Sequence, residues 1–248
     1  MDRGVYVAIT GGIGQDRLME AITGNLAGSN VVGFKRDVPV FSVYDAPLAP
    51  PVAGGMTEKV FANATDIFTD FSQGMMKSTG NPLDVAISGD GFFVVQTPDN
   101  NSMYTRKGDF TLDSEGRLTT KGGYAVEGEG GVIQLTPDEA SLSKISIEKD
   151  GTLSLNGTIV DKIRVVTFPD PNVLRKAGSG LFAAAGGAAG VPAEGEAAVM
   201  QGHLEMANVN AVGEMVSMMT AMRAYESGMK LIQGFDTITD TAIKLASA

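Results

Sequence analysis

His203 is the single histidine in a chain of 248 residues, and histidine is the side chain whose ordinary pKa lies closest to neutral pH. As a general base it would need a nucleophile and an orienting group beside it. Its sequence neighbours Gly202, Leu204 and Glu205 leave that geometry open, and the plainer reading is structural. A second set comprises the carboxylates Asp90, Asp99, Asp109, Asp113, Glu115, Asp138 and Asp150. Two of them at the right separation would make a glycosidase-type acid–base pair, yet each lies at a glycine-containing turn, where such side chains bond nearby backbone amides. The spacing of Asp109, Asp113 and Glu115 is too irregular for a helix-loop-helix calcium site. The third candidate is Gly11-Gly12-Ile13-Gly14. After a strand over residues 5–10 it could cradle a pyrophosphate at a helix N-terminus, which is the chemistry of a nucleotide-dependent oxidoreductase.

Composition narrows these options. Lys and Arg number 19 against 29 Asp and Glu, a net charge of −10, so neither nucleic acid nor direct membrane insertion is expected. Cysteine is absent, which excludes disulfides, thiolate metal sites and a cysteine nucleophile; with one histidine, no metal or cofactor is expected. No apolar stretch approaches the ~20 residues of a membrane span. The first 30 residues lack the basic and continuous apolar regions of a cleaved signal peptide.

The elements that must carry these residues fall into blocks. Residues 1–30 read either as the strand, turn and helix above, or as one helix capped by Asp2. In the second reading Val5, Ile9, Ile13, Met19, Ile22 and Leu26 form its apolar face. Three glycines in four positions would then leave the helix dependent on packing partners. Its expected end is a left-handed residue at Gly28 or Asn30, with Lys35 and Arg36 complementing the carbonyl end. A nucleotide-binding domain needs further strand–helix alternation, and none follows. Residues 35–80, with Pro39, Pro47, Pro50 and Pro51, read as an extended connector with short strands.

Residues 81–175 read as a mostly antiparallel β-domain. The segments 110–118 and 145–153 share one hairpin pattern, in which apolar and polar residues alternate, a turn ends in Gly116 or Gly151, and Leu118 or Leu153 restarts the strand. Asn156-Gly157 is a two-residue hairpin signal. Residues 176–200, rich in Ala and Gly, read as a second connector. From residue 211 a 4-3-4-3 spacing runs through Met215, Met218, Met222, Tyr225, Met229, Ile232 and Ile243, beside a second stripe containing Phe235 and Ile238. Two adjacent stripes suit a helix with several helical neighbours. The whole is an α+β chain, with helical ends (1–34 and 201–248) flanking a β-domain.

Three groups of residues carry a resemblance. They are Asn25-Leu26-Ala27 with Asn30 and Gly33-Phe34-Lys35; Asn81, Asp84, Gly89, Gly91, Phe92 and Phe93; and Asn208-Val209-Asn210 with Glu214-Met215-Val216 and Arg223-Ala224-Tyr225-Glu226. In this order and placement they resemble the bacterial flagellar axial proteins, the family of rod and hook subunits. The opening Met1-Asp2-Arg3-Gly4-Val5-Tyr6 and the run Val165-Val166-Thr167-Phe168-Pro169-Asp170-Pro171 resemble the proximal rod branch most, the distal rod branch being the nearest rival. The resemblance implies terminal helices associated in a coiled-coil-like inner tube with the β-domain outside. It also implies a non-enzymatic, self-assembling subunit of the basal-body rod, a shaft across the periplasm that transmits torque from motor to hook. Other copies of the chain, further rod subunits above and below, and the type III export apparatus are the partners it implies.

Overall fold

The computed structural model describes residues 2–43, 62–135, 145–193, 195 and 197–246. For residues 2–10, 42, 43, 62–66, 235, 236, 239, 240, 242, 243 and 246 it describes the backbone alone. The chain divides into two units, one of residues 1–27, 37–70 and 210–248, the other of residues 28–36 and 71–209. Helices and mostly antiparallel sheets make it an α+β protein.

In the first unit, α1 runs unbroken over Asp2–Gly28. The strand–turn–helix reading of residues 5–26 therefore gives way to the continuous helix, and with it goes the phosphate-cradling turn at Gly11 to Gly14. The helix is held by its covered face, where Ile22 is buried and Met19 and Leu26 are half-buried, and Gly14 is buried beside the Phe41 ring, which a Cβ there would meet at an ordinary contact distance of 3.4 Å. The strands Arg36–Val43 and Ala62–Asp70 pair as a two-stranded sheet, so a large part of the 35–80 connector is regular structure. Thr69 Oγ1 donates to Asp37 Oδ1 at 3.0 Å, bringing the end of one strand to the start of the other. The 36-residue α2, Ala211–Ala246, completes the unit. Asn210 caps it: its Oδ1 accepts from the Gly213 N–H at 3.1 Å and its backbone carbonyl from the Glu214 N–H.

The second unit is β. Its largest sheet has ten strands in antiparallel pairs, with Phe92–Gln96 between Ser102–Thr105 on one side and Ala125–Gly128 and Val165–Thr167 on the other. Alternation explains the apolar run in that central strand. Phe93 and Val95 enter one core with Val85, Ile87, Phe110, Leu118 and Leu153, while Phe92 and Val94 enter another with Tyr104, Phe168 and Phe182. The hairpin signals translate directly into register. Leu112 faces Leu118 around Gly116 (φ 77°), Ile147 faces Leu153 around Gly151 (φ 90°), and Leu155 faces Thr158 across Asn156-Gly157, both at positive φ.

This unit is wider than residues 81–175. The strand Ala197–Gln201 pairs with Val85–Gly89, His203–Glu205 with Met76–Ser78, and Leu181–Ala184 with Ser102–Thr105. The expected connector 176–200 thus supplies strands, and residues 201–209 belong with the sheets rather than with the helix. Among the Ala and Gly, Leu181, Phe182 and Val199 are buried in the apolar cores, and backbone pairing holds the rest. Gly190 would meet Val166 if it carried a Cβ.

Candidate functional site

The chemistry-bearing residues of the sequence turn out to hold the fold. His203 Nδ1 donates to the Gln201 carbonyl oxygen at 2.9 Å within a paired strand. Asp113 Oδ1 accepts the backbone N–H groups of Glu115 and Arg117, and its Oδ2 accepts from Arg117 Nε at 2.7 Å. That bond to Arg117 is the main cause holding its carboxyl below the ordinary aspartate range. Asp150 accepts from the Thr152 N–H and hydroxyl and is likewise held low, first by the amide bond. Asp138 lies outside the described residues. Among the described residues no group of three or more His, Cys, Asp and Glu could hold a metal, and no helix is long and apolar enough to cross a membrane.

What the β-unit does concentrate is buried charge. The Lys35 and Glu205 side chains are 0% and 1% exposed and meet at 2.7 Å, Nζ to Oε1. Lys35 Nζ also donates to the carbonyls of Phe71 (3.1 Å) and Ser72 (2.7 Å). Glu205 Oε1 accepts the Gly74 N–H at 2.8 Å, and its Oε2 accepts from Arg106 at 3.2 Å. Arg106 in turn donates to the Gly89 carbonyl and stacks on Phe92, 5.2 Å from the ring centre. Burial lowers the arginine's pKa, and Glu205 opposes that shift. Gly33 makes the approach possible. At φ 65° it donates its N–H to the Glu205 carbonyl at 2.7 Å, and a Cβ there would lie 2.6 Å from the Arg106 carbonyl carbon. The left-handed residue after α1 is therefore Gly33, not Gly28 or Asn30, and Lys35 serves this cluster rather than the helix end. Gly28 instead leaves room for the Phe34 ring, over which Lys176 sits at 4.2 Å.

Residues of all three groups thus meet here: Gly33, Phe34, Lys35, Gly89, Phe92 and Asn208. Asn208 Oδ1 accepts the Arg36 N–H at 2.7 Å, and its Nδ2 donates to the Ser72 carbonyl oxygen and Oγ. Others work elsewhere. Asn25 exchanges two hydrogen bonds with the Asp37 backbone, and Asn81 donates to Asp84 at 2.9 Å. Gly91 lets Val165 approach, and Phe93 packs edge-on to Phe110. Leu26 is half-buried, whereas Ala27 and Asn30 are exposed. Arg106 and Glu205 were not singled out from sequence. In the sequence, residues 201–248 read as part of the helical end, and nothing in the neighbours of Glu205, Leu204 and Met206, marks it as a buried strand residue.

The helix faces divide the expected seam. On α2 the more covered residues are Glu214, Met218, Ala221, Tyr225, Gly228 and Ile232, again at 4-3-4-3-4 spacing, with Ala221 only 2% exposed. Val212, Met215, Val216, Met219, Met222, Met229 and Ile238 are exposed; Phe235 and Ile243 lie outside the described side chains. On α1, Ile22 is buried, Met19 and Leu26 are half-buried and Ile13 is exposed, while the side chains of Val5 and Ile9 also fall outside.

Comparison with known proteins gives the arrangement a context. Residues 86–155 match the "Flagellar hook protein FlgE/F/G D1 domain" family and residues 200–245 the "Flagellar basal body rod FlgEFG protein C-terminal" family. Over 263 residues the chain is 33% identical to the flagellar basal-body rod protein FlgG of Bacillus subtilis, covering 99% of both chains. It is 32% identical over 244 residues to the rod protein FlgF of Caulobacter vibrioides, covering 98% of both. The FlgG of Borreliella burgdorferi is 33% identical over 268 residues, at 99% of both.

Proposed function

We propose how this chain works from what it is: it belongs to the family of flagellar hook and basal-body rod proteins, and it is a structural subunit of the basal-body rod. We assign it to the proximal rod type, FlgF, with FlgG the nearest rival. The opening and the 165–171 run resemble FlgF. In keeping with that, the alignment with the Caulobacter FlgF needs 244 positions for 98% of both chains, close to this chain's own 248 residues, whereas the FlgG alignments stretch to 263 and 268.

The role is mechanical and non-enzymatic. The subunit polymerises through its terminal helices in a coiled-coil-like inner tube, against copies of itself and against other rod subunits above and below. It passes out of the cytoplasm through the flagellar type III export apparatus and takes its place in a periplasmic shaft that carries torque from motor to hook. The observation that carries this is the outer face of α2, where Val212 is 70% and Met222 50% exposed beside Met215, Val216 and Met219. An apolar stripe of this length left open to water marks an interaction surface, and methionine adapts to non-identical neighbours.

Met222→Asp tests it. The substitution puts a carboxylate where water already reaches in the single subunit, so the melting of the isolated protein stays unchanged. In an assembled rod the same carboxylate is buried without a partner, and motility is lost. Normal swimming by this variant would overturn the assignment.

A further inference from the structure

We propose that Glu205, with the two cations it holds and with Asn208, forms a clasp that gathers three separate stretches of backbone at one point of the β-unit and opens as a unit of its own. The stretches are residues 33–36, 71–74 and 203–208. The first is held by Gly33 N–H on the Glu205 carbonyl, by Lys35 on the carboxylate and by Arg36 N–H on Asn208. The second is held by Gly74 N–H on the carboxylate, by the Phe71 and Ser72 carbonyls on Lys35, and by Ser72 on Asn208. The third carries Glu205 and Asn208 themselves, and the Asn208 N–H donates to the Phe34 carbonyl at 3.3 Å.

Two features set this apart from ordinary core packing. Lys35, Arg106, Glu205 and Asn208 close the clasp through polar contacts; it borders the smaller apolar cluster, where Arg106 stacks on Phe92 and Phe71 packs, and none of these residues belongs to the main core of Val85, Phe93, Leu118 and Ile133. The stretches are also where the β-unit ends along the chain, since it comprises residues 28–36 and 71–209. Chain leaving it after 36, joining it at 71 or leaving it after 209 is fastened within a few residues of each passage. A pull arriving along any of them meets the clasp before it meets the cores. The electrostatics make the Glu205 carboxylate the most sensitive of these fastenings: two buried cations share it, and without its charge they would be left together among backbone carbonyls in a buried site. The inference concerns contacts inside one subunit and does not depend on how subunits assemble.

Amide hydrogen exchange on the full-length monomer tests it with Glu205→Gln, which keeps the side chain's size and removes its charge. The Gly33 and Gly74 amides should exchange at least about tenfold faster, as in a local opening, while the Leu118 and Ile133 amides of the main core keep their rates. Unchanged Gly33 and Gly74 would overturn the clasp; so would a rise of the same factor at Leu118 and Ile133, because the cluster would then open only with the core. Asn208→Ala removes a fastening without stranding a charge and serves if the first variant does not fold. It should speed the Arg36 amide, again with Leu118 and Ile133 unmoved, and an unmoved Arg36 amide overturns the proposal as well.

Discussion

At the scale of single residues, the side chains best suited to chemistry are spent on geometry. Asp113 and Asp150 each satisfy backbone amides that a tight turn leaves without strand partners, and the exposed Arg117 and the half-buried Thr152 complete the bonding. Both carboxyls are held below their ordinary value in the folded chain. The folded state therefore binds fewer protons than the unfolded one in that range. The stabilisation is present above the unfolded aspartate pKa of about 4 and is lost as pH falls through the lower folded value. Asp113→Asn keeps an acceptor for the turn amides but removes the ionisation. Thermal melts between pH 2 and pH 5 should then show a shallower loss of stability on acidification than in the native chain, with the difference confined to that window.

At the scale of the element, α2 shows how one periodicity serves two faces. A 4-3-4-3 spacing can be laid through Met215, Met222 and Met229 or, one position earlier, through Glu214, Ala221 and Gly228, with Met218, Tyr225 and Ile232 common to both. The small Ala221 and Gly228 stand on the covered side and Met215, Met222 and Met229 on the open side. Neighbouring substitutions should therefore behave oppositely. Ala221→Asp places a carboxyl at a buried position and should cost the isolated subunit roughly 2–5 kcal/mol. A fall in helical content or melting temperature, read by circular dichroism, checks this, whereas Met222→Asp leaves both as they are. Equal effects from the two would remove the distinction between the faces.

At the scale of the whole chain, the β-unit is closed by its own ends. Val85–Gly89 lies against Ala197–Gln201, and Met76–Ser78 against His203–Glu205, so residues near the start of the unit are paired with residues more than a hundred positions later. A fragment of residues 81–175 would expose Val85, Ile87 and Phe182's neighbours along two unpaired strand edges and should not melt cooperatively. A fragment of residues 71–209 retains those pairings. It lacks Lys35 and the Gly33 amide that Glu205 holds, and is expected to melt cooperatively but at a lower temperature than the full chain. Calorimetry on the two fragments separates these outcomes, and a cooperative melt for 81–175 would restore the narrower boundary.

Much of the local structure was legible in the residues themselves, because turn chemistry and helical period are properties of neighbours. Asn156-Gly157, Gly116 and Gly151 announced their hairpins, the apolar spacing announced α2 and one of the two readings of residues 1–30, and three groups of residues, at the two ends and at the entry to the β-domain, pointed to the rod and hook family before any fold was visible. The hidden parts depend on partners distant in sequence. Residues 176–200 read as a connector because pairing with Ser102–Thr105 and Val85–Gly89 leaves no mark on their own composition. Lys35 read as a helix-end cation because its partner is 170 positions away. The methionine stripe gave the period of α2, but which side of that period is covered is decided by what packs against it. Spacing along a helix sets the angle between side chains; only the tertiary fold sets which angle faces inward.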